Sequence, residues 1–252
     1  MTIRATPSSS RTLEVPVDCV DAGLLAAPFA DRIEACDDLP SEGWSPDWGA
    51  VRRLAAETEV HVVAMLRPRI AGAVAALVPA AFQASTALLD ACLREVDAAA
   101  KAGARSVACS LLTPDAHVDQ DACARLVAAA RERGMEAAFL RTFDLLADRE
   151  RGMKDITELG FVRVVTAGVR GWDASVLPVE ARVAVLRRDA ENADRFARAC
   201  GRPPVEVVPG GGVRASNAAQ FMRASPHLHA SCRRNGIIDA AEIEALARAM
   251  AL

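Results

Sequence analysis

The amino-acid sequence predicts a single-domain (β/α)8 barrel, the TIM-barrel fold, and three observations carry that prediction. The chain has 252 residues, of which 52% are hydrophobic, and this suits one barrel with a large core. Short apolar runs alternate with longer amphipathic segments rich in alanine, arginine and glutamate, as expected for parallel strands joined by helices. No GxGxxG motif follows the first apolar run, so an open Rossmann-like sheet is the less favoured alternative.

Eight apolar runs have the length of strands and are bounded by polar or turn-forming residues. The predicted strands are residues 13–18, 31–36, 60–67, 106–112, 136–144, 163–166, 205–208 and 226–231. Helical patterns lie between them, and the clearest cover residues 79–102, 120–134, 179–200 and 239–250. Gly103 and Gly134 stand where the first two of these patterns end, as expected for glycines at helix C-termini. Strands followed in turn by helical segments favour a closed barrel.

The first 12 residues do not share this pattern. They contain two arginines and three consecutive serines but no apolar central region, so they do not resemble a secretory signal. We predict a disordered tail over residues 1–12 and the barrel over residues 13–252.

Composition narrows the classes of function and partner. The 30 basic and 33 acidic residues are interspersed, which argues against nucleic-acid binding. The apolar stretch 70–81 is interrupted by Gly72 and Pro79, so no membrane helix is predicted. Seven dispersed cysteines without CxxC spacing indicate free thiols and a cytoplasmic protein. The apolar outer helices favour a homodimer.

Polar residues late in the predicted strands are the candidates for chemistry, since the active sites of such barrels lie at the C-terminal ends of the strands. Glu34 and Asp144 are predicted to act as acid/base groups. His229 is a histidine placed late in a strand, and it is predicted to be a ligand or an acid/base group. Arg67 and Arg141 are predicted to clamp an anion, although these charges could instead neutralise nearby carboxylates.

A run of three glycines follows the seventh predicted strand. Backbone N–H groups of Gly210, Gly211 and Gly212 could approach an anion closely, and barrels frequently bind phosphate after strands seven and eight. The alternative is a tight turn that requires positive φ angles.

Three cysteines lie at or just beyond the ends of predicted strands one, two and eight. Cys19, Cys36 and Cys232 would be neighbours around the barrel, and Cu(I) prefers soft thiolate ligands. The sequence therefore predicts a Cu(I) site formed by these three residues. The alternative is that each cysteine packs separately as a small apolar side chain.

Motifs distributed along nearly the whole chain resemble those of a known family. They are LEVPVD at 13–18, ADRIEAC at 30–36, SEGWSP at 41–46, LRPR at 66–69, LTPD at 112–115, LRTFD at 140–144, VPGGGV at 208–213 and HAS at 229–231. In this order they resemble the copper homeostasis protein CutC family. The resemblance implies a (β/α)8 barrel in the cytosol that is linked to copper handling, without an established catalytic reaction.

The chain departs from the family pattern at two strand positions. Pro16 stands where the family commonly has a cysteine, and Leu140 stands where it commonly has a histidine. Cys36 matches the family's second-strand cysteine. Two main hypotheses follow: a copper homeostasis protein that binds Cu(I), or a metal-independent enzyme acting on a small anionic or phosphorylated metabolite. A third is a barrel retained for protein interaction.

Overall fold

Eight parallel strands form the inner wall of a nearly closed barrel in the computed structural model, which describes residues 11–251. The strands are β1 (Thr12–Val17), β2 (Arg32–Ala35), β3 (His61–Met65), β4 (Ser106–Cys109), β5 (Glu136–Phe139), β6 (Arg163–Thr166), β7 (Glu206–Pro209) and β8 (His227–His229). Each strand from β1 to β7 pairs with its neighbour along the chain, and β8 returns to pair with β1. Between β7 and β8, the Ser225 hydroxyl donates a hydrogen bond to the Val207 carbonyl. The predicted TIM-barrel fold is confirmed.

Helices connect the strands and cover the outside of the barrel. Within the described residues they are α1 (Val20–Ala26), α2 (Trp48–Glu57), α3 (Thr86–Ala102), α4 (Gln120–Glu132), α5 (Arg149–Leu159), α6 (Val179–Cys200), α7 (Ala218–Phe221) and α8 (Ala240–Ala251). None of these helices has both the length and the apolar character that are needed to span a bilayer.

Strand alternation separates two kinds of interior. Leu13, Val15 and Val17 face the helices and belong to the main apolar core between the strands and the helical layer. The intervening residues face the barrel axis, where Glu14 hydrogen-bonds across to His229. The axis therefore carries charged groups that the sequence places between apolar neighbours.

Ion pairs fill the N-terminal end of the barrel axis. Arg32 lies between Glu14 and Glu206, with N–O distances of 3.3 Å to both. Arg163 lies 3.0 Å from Glu136 and 3.8 Å from Glu14. Both guanidiniums are nearly inaccessible to solvent, and such buried charges require partners of opposite sign.

Several predicted elements end earlier or begin later than expected. The predicted strand 136–144 pairs only as far as Phe139, because the chain then enters a 3-10 turn over Arg141–Leu145. Thr142, Phe143 and Asp144 in this turn are buried like strand residues, so the burial pattern does not reveal the change. The predicted helix 79–102 is divided into a 3-10 turn at Pro79–Phe82 and α3, whose N-cap Ser85 accepts a hydrogen bond from the Leu88 N–H.

The predicted N-terminal tail falls mostly outside the described residues, because residues 1–10 are not among them. Thr12, the last residue of that predicted tail, belongs to β1, and Arg11 donates a hydrogen bond to the Met250 carbonyl. The ordered barrel therefore begins before residue 13.

Phe139 should be a principal contributor to stability. It is fully buried in the layer between the strands and the helices, and its ring meets Phe161 and Phe143 edge-on at centroid distances of 5.3 and 6.4 Å. We expect Phe139→Ala to lower the free energy of unfolding by about 3–5 kcal/mol in urea titrations, because it leaves a cavity. Val176→Ala, at an exposed position, should change it by less than about 0.5 kcal/mol. Equal effects of the two changes would contradict this assignment.

Candidate active site

A cavity of about 330 Å³ opens at the C-terminal ends of the strands, which form the mouth of the barrel, and we call it the mouth cavity. This volume is at the lower end of the range for small-molecule sites. Its walls include the predicted site residues Glu34, Arg67, Arg141, Gly211, Gly212 and His229, together with Trp172 and Ser231. Asp144 and Gly210 do not line it, and neither do Cys19, Cys36 and Cys232.

Glu14, His229 and Glu34 form a chain of ionisable groups that runs from the barrel axis to the cavity. His229 Nδ1 lies 2.9 Å from Glu14 Oε1, and His229 Nε2 lies 4.0 Å from Glu34 Oε2. The three side chains converge because Glu14 is the register partner of His229 between β1 and β8, while Glu34 projects from adjacent β2. Glu34 reaches the cavity, and Glu14 lies behind His229.

The surroundings shift the pKa values of the two carboxyl groups in opposite directions. Burial alone would raise the pKa of Glu14, but the hydrogen bond to His229 and the charges of Arg163 and Arg32 lower it to about 2. Burial raises the pKa of Glu34 to about 7, because the nearby His229 offsets it only in part. Glu14 is therefore an anion at neutral pH, whereas Glu34 exchanges a proton in this range.

His229 lies between these two carboxyl groups. Burial would lower its pKa, but the hydrogen bond to Glu14 and the neighbouring carboxylates raise it above its usual value. A Cβ atom at Gly210 would lie 3.0 Å from Val165 Cγ1, which is a tight contact, but 3.7 Å from His229 Cδ2, which is an ordinary one. The absence of a side chain at Gly210 therefore makes room for Val165, which lines the cavity, more than for the His229 ring.

Sequence reasoning did not assign a role to Glu14. The sequence does contain an indication of such a role, because Glu14 is a lone charged residue inside the apolar run that forms β1. A charge at such a position must find a partner inside the barrel. The partner could not be identified, since His229 is 215 residues away along the chain.

Asp144 is buried away from the cavity and is engaged by four donors. These are the Thr166 hydroxyl at 2.6 Å, the Ala167 N–H at 2.7 Å, Arg149 Nη1 at 2.9 Å and Arg141 Nε at 3.3 Å. A carboxylate with this many donors has no free lone pair directed at a ligand. We therefore assign Asp144 to positioning Arg141.

The two arginines at the cavity, Arg67 and Arg141, differ in whether they keep an unpaired N–H donor for a ligand. Arg67 stacks between Trp44 and Phe82 and donates to backbone carbonyls of the loops that follow β2 and β3. Those acceptors are Ser41, Gly43, Val74 and Ala75, at 3.0–3.4 Å. Arg141 donates to Asp144 and to the Trp172 carbonyl, and its Nη1 has no acceptor within residues 11–251. Arg141 is therefore available to a ligand, whereas Arg67 ties the loops together.

The three cysteines predicted to bind Cu(I) are not clustered. Cys19 is exposed before α1, Cys36 packs inside the barrel beside Met65, and Cys232 is buried in the layer between the strands and the helices. Within residues 11–251, no three His, Cys, Asp or Glu side chains are placed to hold one metal ion. The predicted three-thiol cluster is wrong, because a residue at a strand end can face either side of the barrel wall.

Comparison with known proteins relates the chain to one family. The CutC family model matches residues 12–233. A CutC family protein of Vibrio atlanticus is 31% identical over 204 residues, which cover 80% of this chain and 73% of the relative. The human copper homeostasis protein CutC homolog is 28% identical over 224 residues, which cover 88% of this chain and 73% of the relative.

A solved structure supports the same grouping at the level of fold. That of a CutC copper homeostasis protein from Streptococcus agalactiae has a TM-score of 0.72 at 21% identity and covers 88% of this chain and 98% of that one. The family match extends from the first strand to the loop after the eighth. The chain therefore belongs to the CutC family.

Proposed function

We propose that this protein is an enzyme that acts on a small anionic metabolite in the mouth cavity, with Glu34 transferring the proton. One observation carries the proposal: a buried carboxyl group whose pKa is raised to about 7 lines the cavity and lies 4.0 Å from the His229 imidazole. Acid/base catalysis works best when the pKa of the group is close to the working pH. Environments that separate the pKa values of neighbouring carboxyl groups are typical of catalytic sites.

The three groups take distinct roles in this proposal. Glu34 faces the substrate and accepts or donates the proton. His229 stabilises the Glu34 carboxylate when it forms, and Glu14 raises the pKa of the ring and fixes its orientation through Nδ1. Arg141 lies on the cavity wall with a free amino group and attracts an anionic substrate.

Glu34→Gln should change how stability depends on pH. The folded protein holds the Glu34 proton more tightly than the unfolded chain, whose carboxyl titrates near 4.5. Wild-type stability conferred by that proton is therefore lost as the pH rises from about 4.5 to about 7. We expect Glu34→Gln to gain stability over the wild type across this interval, by about 3 kcal/mol at most.

Thermal unfolding at a series of pH values checks this expectation. Glu59→Gln removes an exposed carboxyl group and serves as the matched control, whose curve should run parallel to that of the wild type. Parallel curves for Glu34→Gln and the wild type would contradict a neutral, buried Glu34.

Proton transfer itself can be measured without knowing the natural substrate. The wild-type protein is incubated in D2O with a panel of short phosphate esters and hydroxy or keto acids, and exchange of C–H protons is followed by proton NMR. We expect exchange on at least one compound, and Glu34→Gln should slow it by about 100-fold or more. Exchange by the wild type on no compound, or equal exchange by the variant, would refute the role of Glu34 as the proton-transferring group.

Copper handling is the second candidate function, and one observation favours a Cu(I) site with fewer ligands than the sequence predicts. Cys36 and Met65 pack together inside the barrel, where a Cβ atom at Gly43 would lie 3.5 Å from Cys36 Cβ and 2.7 Å from Met65 Sδ. Thiolate and thioether are the ligands that Cu(I) prefers. In this proposal Cu(I) is cargo held by Cys36 with Met65, and Cys19 and Cys232 do not take part.

A Cu(I) competition titration without oxygen tests this candidate. Burial raises the pKa of the Cys36 thiol, so Cu(I) must displace a proton and should bind more tightly as the pH rises. We expect Cys36→Ser to weaken binding by about tenfold or more, whereas Cys200→Ser, at an exposed site, should not. Equal affinity of the wild type and Cys36→Ser would exclude Cys36 as the ligand. The cytoplasmic location and the homodimer stay predictions.

A further inference from the structure

The loops that follow β7 and β8 present unpaired hydrogen-bond donors to the mouth cavity. We propose that they form a subsite for the phosphoryl group of a phosphate monoester, which Gly211, Gly212, Ser231 and Arg141 bind together. This inference rests on the proposed function and names its substrate class. It also fixes the orientation of the substrate, with the phosphoryl group near β7 and β8 and the reacting atoms toward Glu34 on β2.

The direction of the glycine N–H groups follows from the contacts of Arg182. Arg182 Nη2 donates to the carbonyls of both Gly210 and Gly211, at 2.7 Å each. In a trans peptide the N–H group points opposite to the carbonyl, and no peptide bond among residues 11–251 is cis. The N–H groups of Gly211 and Gly212 therefore both point away from Arg182, which packs under the ring of Phe221 in the outer layer.

Neither of these N–H groups has an acceptor among the described residues. Gly211 and Gly212 have φ angles of +70° and +76°, and both line the cavity. Successive N–H groups on one side of a loop form an anion-binding concavity. Two of the three N–H donors predicted from the glycine run are therefore unpaired at the cavity, whereas the Gly210 N–H donates to the Thr166 carbonyl at 2.8 Å. The positive φ angles also fit the alternative of a tight turn.

Arg141 supplies the positive charge next to this loop. A Cβ atom on Gly211 would lie 3.4 Å from Arg141 Cζ, so the guanidinium and the loop are in direct contact. Arg141 stacks on Trp172 at 4.5 Å, and Asp144 holds its Nε. These contacts hold the guanidinium in place and leave Nη1 free, as expected for a group that is ready to bind an anion.

Ser231 completes the subsite from the β8 side. Its side chain lines the cavity, and its hydroxyl makes no hydrogen bond with the described residues. The neighbouring Arg233 lines the same wall, and its Nη2 is paired with Asp18 at 2.6 Å. The two carboxylates that line the cavity, Glu34 and Glu42, both belong to β2 or the loop after it. Donors and carboxylates thus occupy different parts of the mouth.

The charge and the spread of the donors favour a phosphoryl group over a carboxylate. The donors come from three separate loops, after β5, β7 and β8, and the three terminal oxygens of a phosphoryl group point in three directions toward them. A carboxylate can accept four donors, as Asp144 does, but its two oxygens lie in one plane, and it carries one negative charge where a phosphate monoester carries close to two.

The test is binding, measured without turnover. Inorganic phosphate and glycerol 3-phosphate are titrated into the full-length protein and followed by calorimetry and phosphorus NMR, with acetate as the comparison anion. We expect both phosphates to bind, glycerol 3-phosphate at least as tightly as inorganic phosphate, and acetate about tenfold or more weakly. If acetate binds equally well, or if inorganic phosphate binds and the ester does not, the phosphate-monoester class is wrong.

Matched variants locate the site. Ser231→Asp adds a negative charge and should weaken phosphate binding by about tenfold or more, and Ser231→Ala should weaken it by a smaller factor through loss of the hydroxyl. Arg52→Gln removes an exposed arginine on α2 and should leave binding unchanged. If Ser231→Asp does not fold, Ser231→Ala alone decides. Wild-type affinity in the folded Ser231 variants, or an equal loss in Arg52→Gln, would overturn the subsite.

Glu34→Gln separates the failure of this inference from the failure of the proposed function. We expect it to bind phosphate within about threefold of the wild type, since Glu34 lies outside the donor set. Wild-type protein that exchanges protons through Glu34 but binds no phosphate would overturn the subsite and leave the enzyme proposal standing. Phosphate binding without Glu34-dependent exchange would support the subsite and refute the proton transfer.

Discussion

The rest of the barrel interior depends on the ion pairs that the Glu14 carboxylate makes. This carboxylate lies within 3.3 Å of Arg32, 3.8 Å of Arg163 and 2.9 Å of His229, and it is almost inaccessible to solvent. Two further carboxylates on the N-terminal side neutralise the remaining charge of the guanidiniums. Since the positive charges are already matched in this way, Glu34 receives little compensation for its burial and keeps its proton to about pH 7. Burial is the main cause of the raised pKa, and the ion pairs at one end of the barrel limit the compensation that reaches Glu34 at the other end.

A second buried frame positions the loops around the cavity. Asp144 accepts hydrogen bonds from Arg141, Arg149 and Thr166. Arg182 donates hydrogen bonds to backbone carbonyls of the loops after β6 and β7. Both groups are buried, and neither lines the cavity. Their effect on a ligand would be indirect, because they decide which donors of Arg141 and of the glycine loop stay unpaired. Rigid support of this kind is what a site needs in order to hold a ligand in one orientation.

The fold and part of the site could be predicted from the sequence, and the failures have physical causes. Alternating apolar and amphipathic segments reveal eight strands and the mouth that they create, and Glu34 and His229 both line that mouth. Residue type alone does not reveal whether a charge is already paired, so Asp144 resembled a free acid although Thr166 and Arg149 engage it. The copper cluster failed because strand position does not fix the face: Cys36 packs inside the barrel, whereas Cys232 packs in the helical layer.

The two positions at which the chain departs from the family pattern bear on which function the cavity serves. Pro16 and Leu140 both line it, in place of the cysteine and histidine that the CutC resemblance implies. Each change replaces a metal-ligating side chain with an apolar one, and Pro16, as the register partner of Glu34 on β1, adds to the apolar surroundings of that carboxyl group. Apolar side chains at these positions lower the local dielectric constant and so strengthen electrostatic interactions between the remaining polar groups and a bound anion. The composition of the wall thus favours proton transfer on an anionic substrate over coordination of copper.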